Sequence, residues 1–191
     1  MSGDDLTFEI PSITEIYDYL AEIAGEIKKA GIKIDTIIGI SRGGLVPARF
    51  LSDFLLIPDI KIISAGFYLG PKKRMDKPII YTPLGKEVEN KTILLVDDVA
   101  DTGETLIAVE KHILERGAKK VYIAVIYKKP WNKARVDFYS RETDAWIVFP
   151  WEFTETAYQL SKMDTWKKFE SIIIRDERLK KIVERFLEKR V

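Results

Sequence analysis

Ile93-Leu94-Leu95-Val96-Asp97-Asp98-Val99-Ala100-Asp101-Thr102-Gly103-Glu104-Thr105 is the stretch that decides the fold of this chain. Its four leading apolar residues predict a buried parallel strand. Two adjacent carboxylates, Asp97 and Asp98, stand at the strand's carboxyl end. A short loop of Asp101, Thr102, Gly103 and Thr105 then leads into a helical pattern. Open α/β sheets bind ligands where strands end and helices begin. A glycine-bearing loop entering a helix presents unpaired backbone N–H groups and the positive end of the helix dipole, which suits phosphate. The Thr102 and Thr105 hydroxyls add donors. A sugar phosphate needs this combination: an anchor for its phosphate and acceptors for its vicinal hydroxyls. A plain strand-to-helix turn also uses Asp, Thr and Gly as cap and turn residues. Two carboxylates side by side at a buried strand end would burden such a turn with repulsion and desolvation.

Outward from this stretch, strands and helices alternate. Ser12-Ile13-Thr14-Glu15 is a capping box, and Ile16, Leu20, Ile23, Ala24 and Ile27 recur at helical spacing up to Gly31. Thr36 to Ile40 is a short apolar strand, Leu45 to Leu56 a helix with Pro47 in its first turn, and Asp59 to Ser64 a strand. The central strand is expected over Thr92 to Val96, followed by a helix from Glu104 to Arg116 that stops at Gly117. Val121 to Tyr127 is a strand; Phe138-Tyr139 and Ala145 to Val148 are short strand candidates. Helices are expected over Thr154 to Met163, Thr165 to Ile173 and Glu177 to Lys189. The alternation implies an α/β fold with a mostly parallel sheet flanked by helices. No repeat or flexible linker divides the chain, so residues 1–191 read as one domain with a helical C-terminal extension from about residue 154.

Composition narrows the function. Lys and Arg total 31 against 30 Asp and Glu, a net charge of +1, which lacks the basic excess of a nucleic-acid face. Cysteine is absent and His112 is the only histidine, so thiolate and multi-histidine metal centres are excluded. His112 falls mid-helix, away from any loop, and reads as a packing or solvent-facing residue. No long uncharged apolar run or signal pattern is present, so a cytoplasmic protein without a membrane partner is expected.

A second loop, Ser41-Arg42-Gly43-Gly44, follows the first parallel strand. Its glycines let the backbone approach an anion, and Arg42 offers a fork for phosphate oxygens. Gly66 to Pro83 mixes Gly and Pro with Lys72, Lys73, Arg74 and Lys77 and shows little periodicity. It reads as a long mobile excursion, either a charged surface hairpin or a lid that excludes water from a reacting sugar.

The 93–105 segment closely resembles the phosphoribosyl-pyrophosphate (PRPP) signature of the type I phosphoribosyltransferases. That signature is an apolar strand, two acids, two small or apolar residues, then Asp or Ser, Thr, Gly, any residue and Thr; each position is met here. It is not a Walker A loop, which needs Gly-x-x-x-x-Gly-Lys before Ser or Thr. Lys129-Pro130 and Trp146-Ile147-Val148-Phe149-Pro150-Trp151-Glu152 further resemble the 6-oxopurine branch, in particular its xanthine-guanine enzymes. The resemblance spans about Asp35 to Glu152.

It implies the type I fold with a small hood built from the 128–152 region, with N-terminal residues contributing. It also implies transfer of a 5-phosphoribosyl group from PRPP to hypoxanthine, guanine or xanthine, with a nucleoside monophosphate and pyrophosphate as products. By the same resemblance Ser41, Arg42 and Gly43 grip pyrophosphate, with a non-proline cis peptide at Ser41–Arg42. Asp97 and Asp98 take the ribose hydroxyls, and Ala100, Asp101, Thr102, Gly103, Glu104 and Thr105 complete the PRPP site. Asp101 is the general base toward the purine, and the Glu104 side chain turns outward. Lys129 donates to the 6-oxo group, Trp146 stacks on the base, and the Ile147 backbone reads its edge. Glu152, where the branch has Asp, joins Asp97 and Asp98 around Mg²⁺, directly or through water, or meets the base's 2-position. A homodimer or homotetramer is expected, with no nucleic-acid partner. The alternatives are a phosphoribosyltransferase for adenine or a pyrimidine, and a non-catalytic PRPP- or nucleotide-sensing regulator of the same fold.

Overall fold

The structure is a computed structural model and describes residues 6–68 and 74–187. In chain order the elements are β1 (Phe8–Glu9), α1 (Ile13–Lys29), β2 (Thr36–Ser41), α2 (Leu45–Leu55), β3 (Ile60–Tyr68), β4 (Arg74–Thr82) and a short 3₁₀ turn, Lys86–Val88. Then come β5 (Thr92–Ala100), α3 (Glu104–Glu115), β6 (Lys120–Lys128), β7 (Phe138–Glu142), β8 (Trp146–Ile147), α4 (Phe153–Leu160), α5 (Trp166–Ile173) and α6 (Glu177–Leu187). They form two compact units. One runs from Ile16 to Thr143; the other joins the residues up to Glu15 to those from Asp144 onward.

The larger unit is built on a six-stranded sheet of order β4-β3-β2-β5-β6-β7. The pairs β2–β3, β2–β5, β5–β6 and β6–β7 are parallel, and β4 closes one edge antiparallel to β3. From β2 the chain winds outward to β3, and from β5 outward to β6 and β7, so the winding direction reverses between β2 and β5. Pairing of β2 with β5 ends at Gly39 opposite Val96, whereas β5 stays paired with β6 as far as Ala100 opposite Lys128. A crevice opens at the reversal point, past Val96, which is where open α/β sheets seat ligands.

One face of the sheet carries the main core. Ile38, Ile63, Ile93, Leu95, Ile123 and Val125 pack with Leu106, Val109 and Ile113 of α3. Gly117 ends this helix region with φ 87°, a left-handed conformation that favours glycine. At one corner Asp59 gathers the Thr36 hydroxyl at 2.6 Å, Lys91 at 2.9 Å and Lys61 at 3.0 Å. Those hydrogen bonds, the Thr36 one foremost, hold the Asp59 carboxyl well below the usual carboxylate range.

The smaller unit starts with the pairing of β1 and β8, Phe8 opposite Trp146 and Glu9 opposite Ile147. Its core is Val148, Phe153, Ala157, Leu160, Phe169 and Ile173, with Leu179, Ile182, Val183 and Leu187 of α6 packed on it. The capping box forms as expected: Ser12 N–H donates to the Glu15 carboxylate at 2.8 Å, and Glu15 N–H to the Ser12 hydroxyl at 3.2 Å.

Four expectations are corrected. The central strand runs on through both acids to Ala100, because β6 continues to supply backbone partners there. Residues 66–68 and 74–82 are strand rather than irregular excursion; their apolar positions are split between two hydrogen-bonded strands and so show no single period. Lys72 and Lys73 lie outside the described residues. Phe138–Glu142 is an edge strand of the large sheet, so only the part of the expected hood from residue 144 joins the smaller unit. His112 is not remote from loops: its Nε2 accepts the Leu84 N–H at 3.2 Å and ties the segment after β4 to α3. No helix among the described residues is long and apolar enough to cross a membrane.

Candidate active site

Two strand-to-helix loops meet at the crevice. The loop after β2 is drawn tightly over β5. Gly44 N–H donates to the Ile40 carbonyl at 2.8 Å, and a Cβ on Gly44 would stand 2.4 Å from the Val96 carbonyl oxygen. A Cβ on Gly43 would stand 2.1 Å from an Asp98 carboxylate oxygen. Both distances lie below contact range, so glycine is what lets this loop and the acid pair share the space. The Ser41–Arg42 peptide is cis, as the resemblance implied.

Asp98 is buried. Its N–H donates to the Asp97 carboxylate at 3.0 Å, and its own carboxylate accepts the Val99 N–H at 2.8 Å. Desolvation in the crevice, and after it the neighbouring Asp98 charge, push the Asp97 carboxyl well above the ordinary range. Among the described residues no group of three or more acids or histidines is placed to hold a metal ion. Two adjacent carboxylates that disfavour each other's charge nevertheless suit a divalent cation that draws its other oxygens from substrate and water.

The loop after β5 is held from below. Gly103 precedes α3 with φ 84°, and a Cβ there would meet Asn132 Oδ1 at 2.4 Å and Ala134 N at 2.6 Å. The Thr102 hydroxyl accepts the Glu104 N–H at a long 3.4 Å. The first N–H groups of α3 have no partners within the helix, and the loop and first turn that carry them line a cavity of about 160 Å³. Asp97, Ala100, Asp101, Thr102, Gly103 and Thr105 line it together with Phe67 of β3.

The loop after β6 is fastened alongside. Lys129 N–H donates to the Ala100 carbonyl at 2.9 Å, and Lys133 N–H to the Thr102 carbonyl at 3.1 Å. The two lysines of this segment are sorted by their surroundings. Lys128 forms an ion pair with Glu142 at 2.8 Å and sits over the Tyr139 ring. Lys129 is buried, its ammonium 5.6 Å from the centre of the Trp131 ring. The Trp131 indole N–H donates to Asp101 Oδ1 at 2.8 Å.

The site residues predicted from sequence thus fall into two groups. Ser41, Arg42, Gly43, Asp97, Asp98, Ala100, Asp101, Thr102, Gly103, Glu104, Thr105 and Lys129 belong to the larger unit. Trp146, Ile147 and Glu152 belong to the smaller one. In β8, Trp146 N–H bonds the Thr7 carbonyl and Val148 N–H the Glu9 carbonyl, both at 2.8 Å. Strand geometry therefore turns the Ile147 backbone groups away from β1. Trp146 keeps an exposed ring. Glu152 occupies the N-cap of α4 without capping it by its side chain. Sequence reasoning missed Phe67 and Trp131. Phe67 comes from a strand distant in sequence and Trp131 lies thirty residues from Asp101, and no local signal marks either.

A doubly wound α/β unit with acids and a helix-opening glycine at its reversal point is a domain for phosphorylated ligands. The phosphoribosyl transferase domain profile matches residues 9–157, and the chain belongs to that family. A xanthine-guanine phosphoribosyltransferase of Cereibacter sphaeroides is 34% identical over 119 residues, 61% of this chain and 68% of the relative. One of Desulfotalea psychrophila is 35% identical over 124 residues, 64% and 72% of the two chains. The crystal structure of a purine phosphoribosyltransferase from Pyrococcus horikoshii is 36% identical with a TM-score of 0.67, covering 75% of this chain and 93% of that one. A hypothetical protein from Neisseria gonorrhoeae with bound ppGpp is 26% identical with a TM-score of 0.68, covering 77% and 90%.

Proposed function

We propose that this protein is a purine-salvage phosphoribosyltransferase that moves the 5-phosphoribosyl group from PRPP to hypoxanthine, guanine or xanthine and releases pyrophosphate. The observation that carries the reading is the 97–105 segment: Asp97 and Asp101 line one cavity together with a helix-opening glycine, at the reversal point of the sheet. Names of relatives about a third identical over the aligned residues support the 6-oxopurine class.

In this reading the 5′-phosphate rests on the backbone N–H groups and hydroxyls of Thr102, Gly103, Glu104 and Thr105 at the start of α3. Ser41, Arg42 and Gly43 hold the pyrophosphate, and Ala100 contributes backbone to the ribose pocket. Asp97 and Asp98 accept from the ribose hydroxyls and would help to hold Mg²⁺, directly or through water. When bound, that ion supplies neutralisation of pyrophosphate charge; Glu152 is proposed as a further ligand on the pyrophosphate side. As the bond from the anomeric carbon to pyrophosphate breaks and positive charge grows on the ribose ring, the purine nitrogen attacks that carbon and Asp101 takes the proton leaving N7. Lys129 donates to the 6-oxo group, the Trp146 ring stacks on the base, and the Ile147 backbone meets its edge. Assembly as a homodimer or homotetramer and a cytoplasmic setting belong to the same proposal.

Pyrophosphate release from PRPP with Mg²⁺, measured over hypoxanthine, guanine, xanthine, adenine and the pyrimidine uracil, tests it. Release with the 6-oxopurines and little with adenine is expected; release only with adenine or a pyrimidine overturns the substrate class. The Neisseria neighbour with bound ppGpp favours one second reading, a guanine-nucleotide sensor without turnover. Nucleotide binding with no pyrophosphate release from any base would establish that instead.

A further inference from the structure

Asp101 is an exposed carboxylate on a loop, with two side-chain torsions to order before it can meet a proton at a defined place. The structure supplies an ordering device from a different loop. The bonds from Lys129 N–H to the Ala100 carbonyl and from Lys133 N–H to the Thr102 carbonyl fall on the two residues that flank Asp101. Trp131 lies between them, and its indole N–H reaches Asp101 Oδ1 at 2.8 Å. Between these staples Asn132 folds on itself, its amide donating to the Ala134 carbonyl at 2.8 Å and its Oδ1 accepting the Ala134 N–H at 3.2 Å. The loop that presents the indole is therefore as firmly held as the one that carries the acid. Indole nitrogen only donates. Once it engages Oδ1, the other carboxylate oxygen remains the acceptor for a proton.

We propose that Trp131 is a positioning residue for Asp101: its indole N–H fixes the carboxylate so that Oδ2 faces the proton leaving the purine. The inference rests on the proposed role of Asp101 and adds how that acid is aimed. Trp131 also sets Asp101 relative to Lys129, whose ammonium lies 5.6 Å from its ring centre. The oxygen on C6 and N7 share one edge of a 6-oxopurine. One side chain in contact with both groups thus coordinates the two contacts expected along that edge.

Trp131→Phe keeps a ring beside Lys129 and removes only the N–H; Trp131 is 45% exposed, so the variant folds, as a melting curve verifies. Turnover is measured for wild type, Trp131→Phe, Asp101→Asn and the double variant, with PRPP saturating. Trp131→Phe lowers kcat about tenfold, the scale of a hydrogen bond to a charged group, with the KM for PRPP unchanged. In the Asp101→Asn background it lowers kcat no further. Trp131→His, which keeps a ring donor, regains part of the loss. If Trp131→Phe has wild-type kcat, or lowers kcat equally in both backgrounds, Trp131 does not act through Asp101 and the inference fails while the role of Asp101 stands. If Asp101→Asn itself turns over like wild type, the role of Asp101 fails and this inference with it.

Discussion

The loop from Ala100 to Thr105 and the helices after Glu152 are held in place in different ways. In the loop, single atoms decide. Gly103 has no room for a Cβ and adopts a φ that other residues avoid, and backbone bonds to the 129–133 segment fix the residues on each side of Asp101. In the helices a stripe decides. No residue of α6 is buried, and Leu179, Ile182, Val183 and Leu187 cover the second core while staying partly accessible. Chemistry needs positions defined to a fraction of an ångström, whereas covering a core needs only apolar area of suitable shape. Substitutions in the loop should therefore alter rate with little change in stability, and changes in the helices should do the reverse.

The sharpest way to break that contrast is Asp101→Asn. It is expected to lower kcat by roughly 10²–10⁴, the range for loss of a general base, with melting temperature and PRPP affinity near wild type. A large fall in melting temperature alongside would show that the loop is also a stability element. The converse experiment ends the chain after Ile174. It removes α6 and its four half-buried aliphatic side chains, and at about 1 kcal/mol each it costs roughly 4 kcal/mol of stability. Relative activity over the base panel, measured on whatever remains folded, should stay as in the full chain. A switch in base preference would move α6 into the active site.

A smaller effect is expected at Lys129. Removing the cationic donor with Lys129→Ala should cost 6-oxopurines about 1.5–3 kcal/mol in kcat/KM and adenine much less. Equal losses for all bases would make Lys129 structural. Lys128→Ala is the control, since its ammonium is engaged by Glu142 and Tyr139. The smallest effect lies far from the crevice. Asp59 has its carboxyl pKa lowered in the folded state, so it contributes stability above the unfolded value of about 3.9, and loses it as pH falls from there toward the folded value. Asp59→Asn should lower stability by about 1 kcal/mol or less at pH 7, as partly exposed ion pairs do, with the gap to wild type closing as the medium is acidified below pH 4. A gap that persists at low pH would assign the effect to the Thr36 hydrogen bond rather than to charge.

Much of the site was legible in the sequence because its chemistry is local. An acid pair, Asp101, a glycine before a helix and two threonines lie within one short segment, and each demand falls on a residue type that can meet it; the cis Ser41–Arg42 bond was implied by the family resemblance alone. The helices after Glu152 were legible for a similar reason, since α4, α5 and α6 show their apolar period within a few turns. The sequence by itself determined the α/β alternation and the family, and it marked the loop after β5 as the candidate phosphate site. Only the tertiary structure decided that β5 runs on through its acids to Ala100, that β2 parts from it after Val96, and that Phe138–Glu142 joins the large sheet. It alone brought Phe67 to the cavity and set the Trp131 N–H on Asp101. The physical reason is that pairing between strands and the direction of a side chain depend on partners far along the chain, and no local pattern of apolar residues encodes where those partners stop.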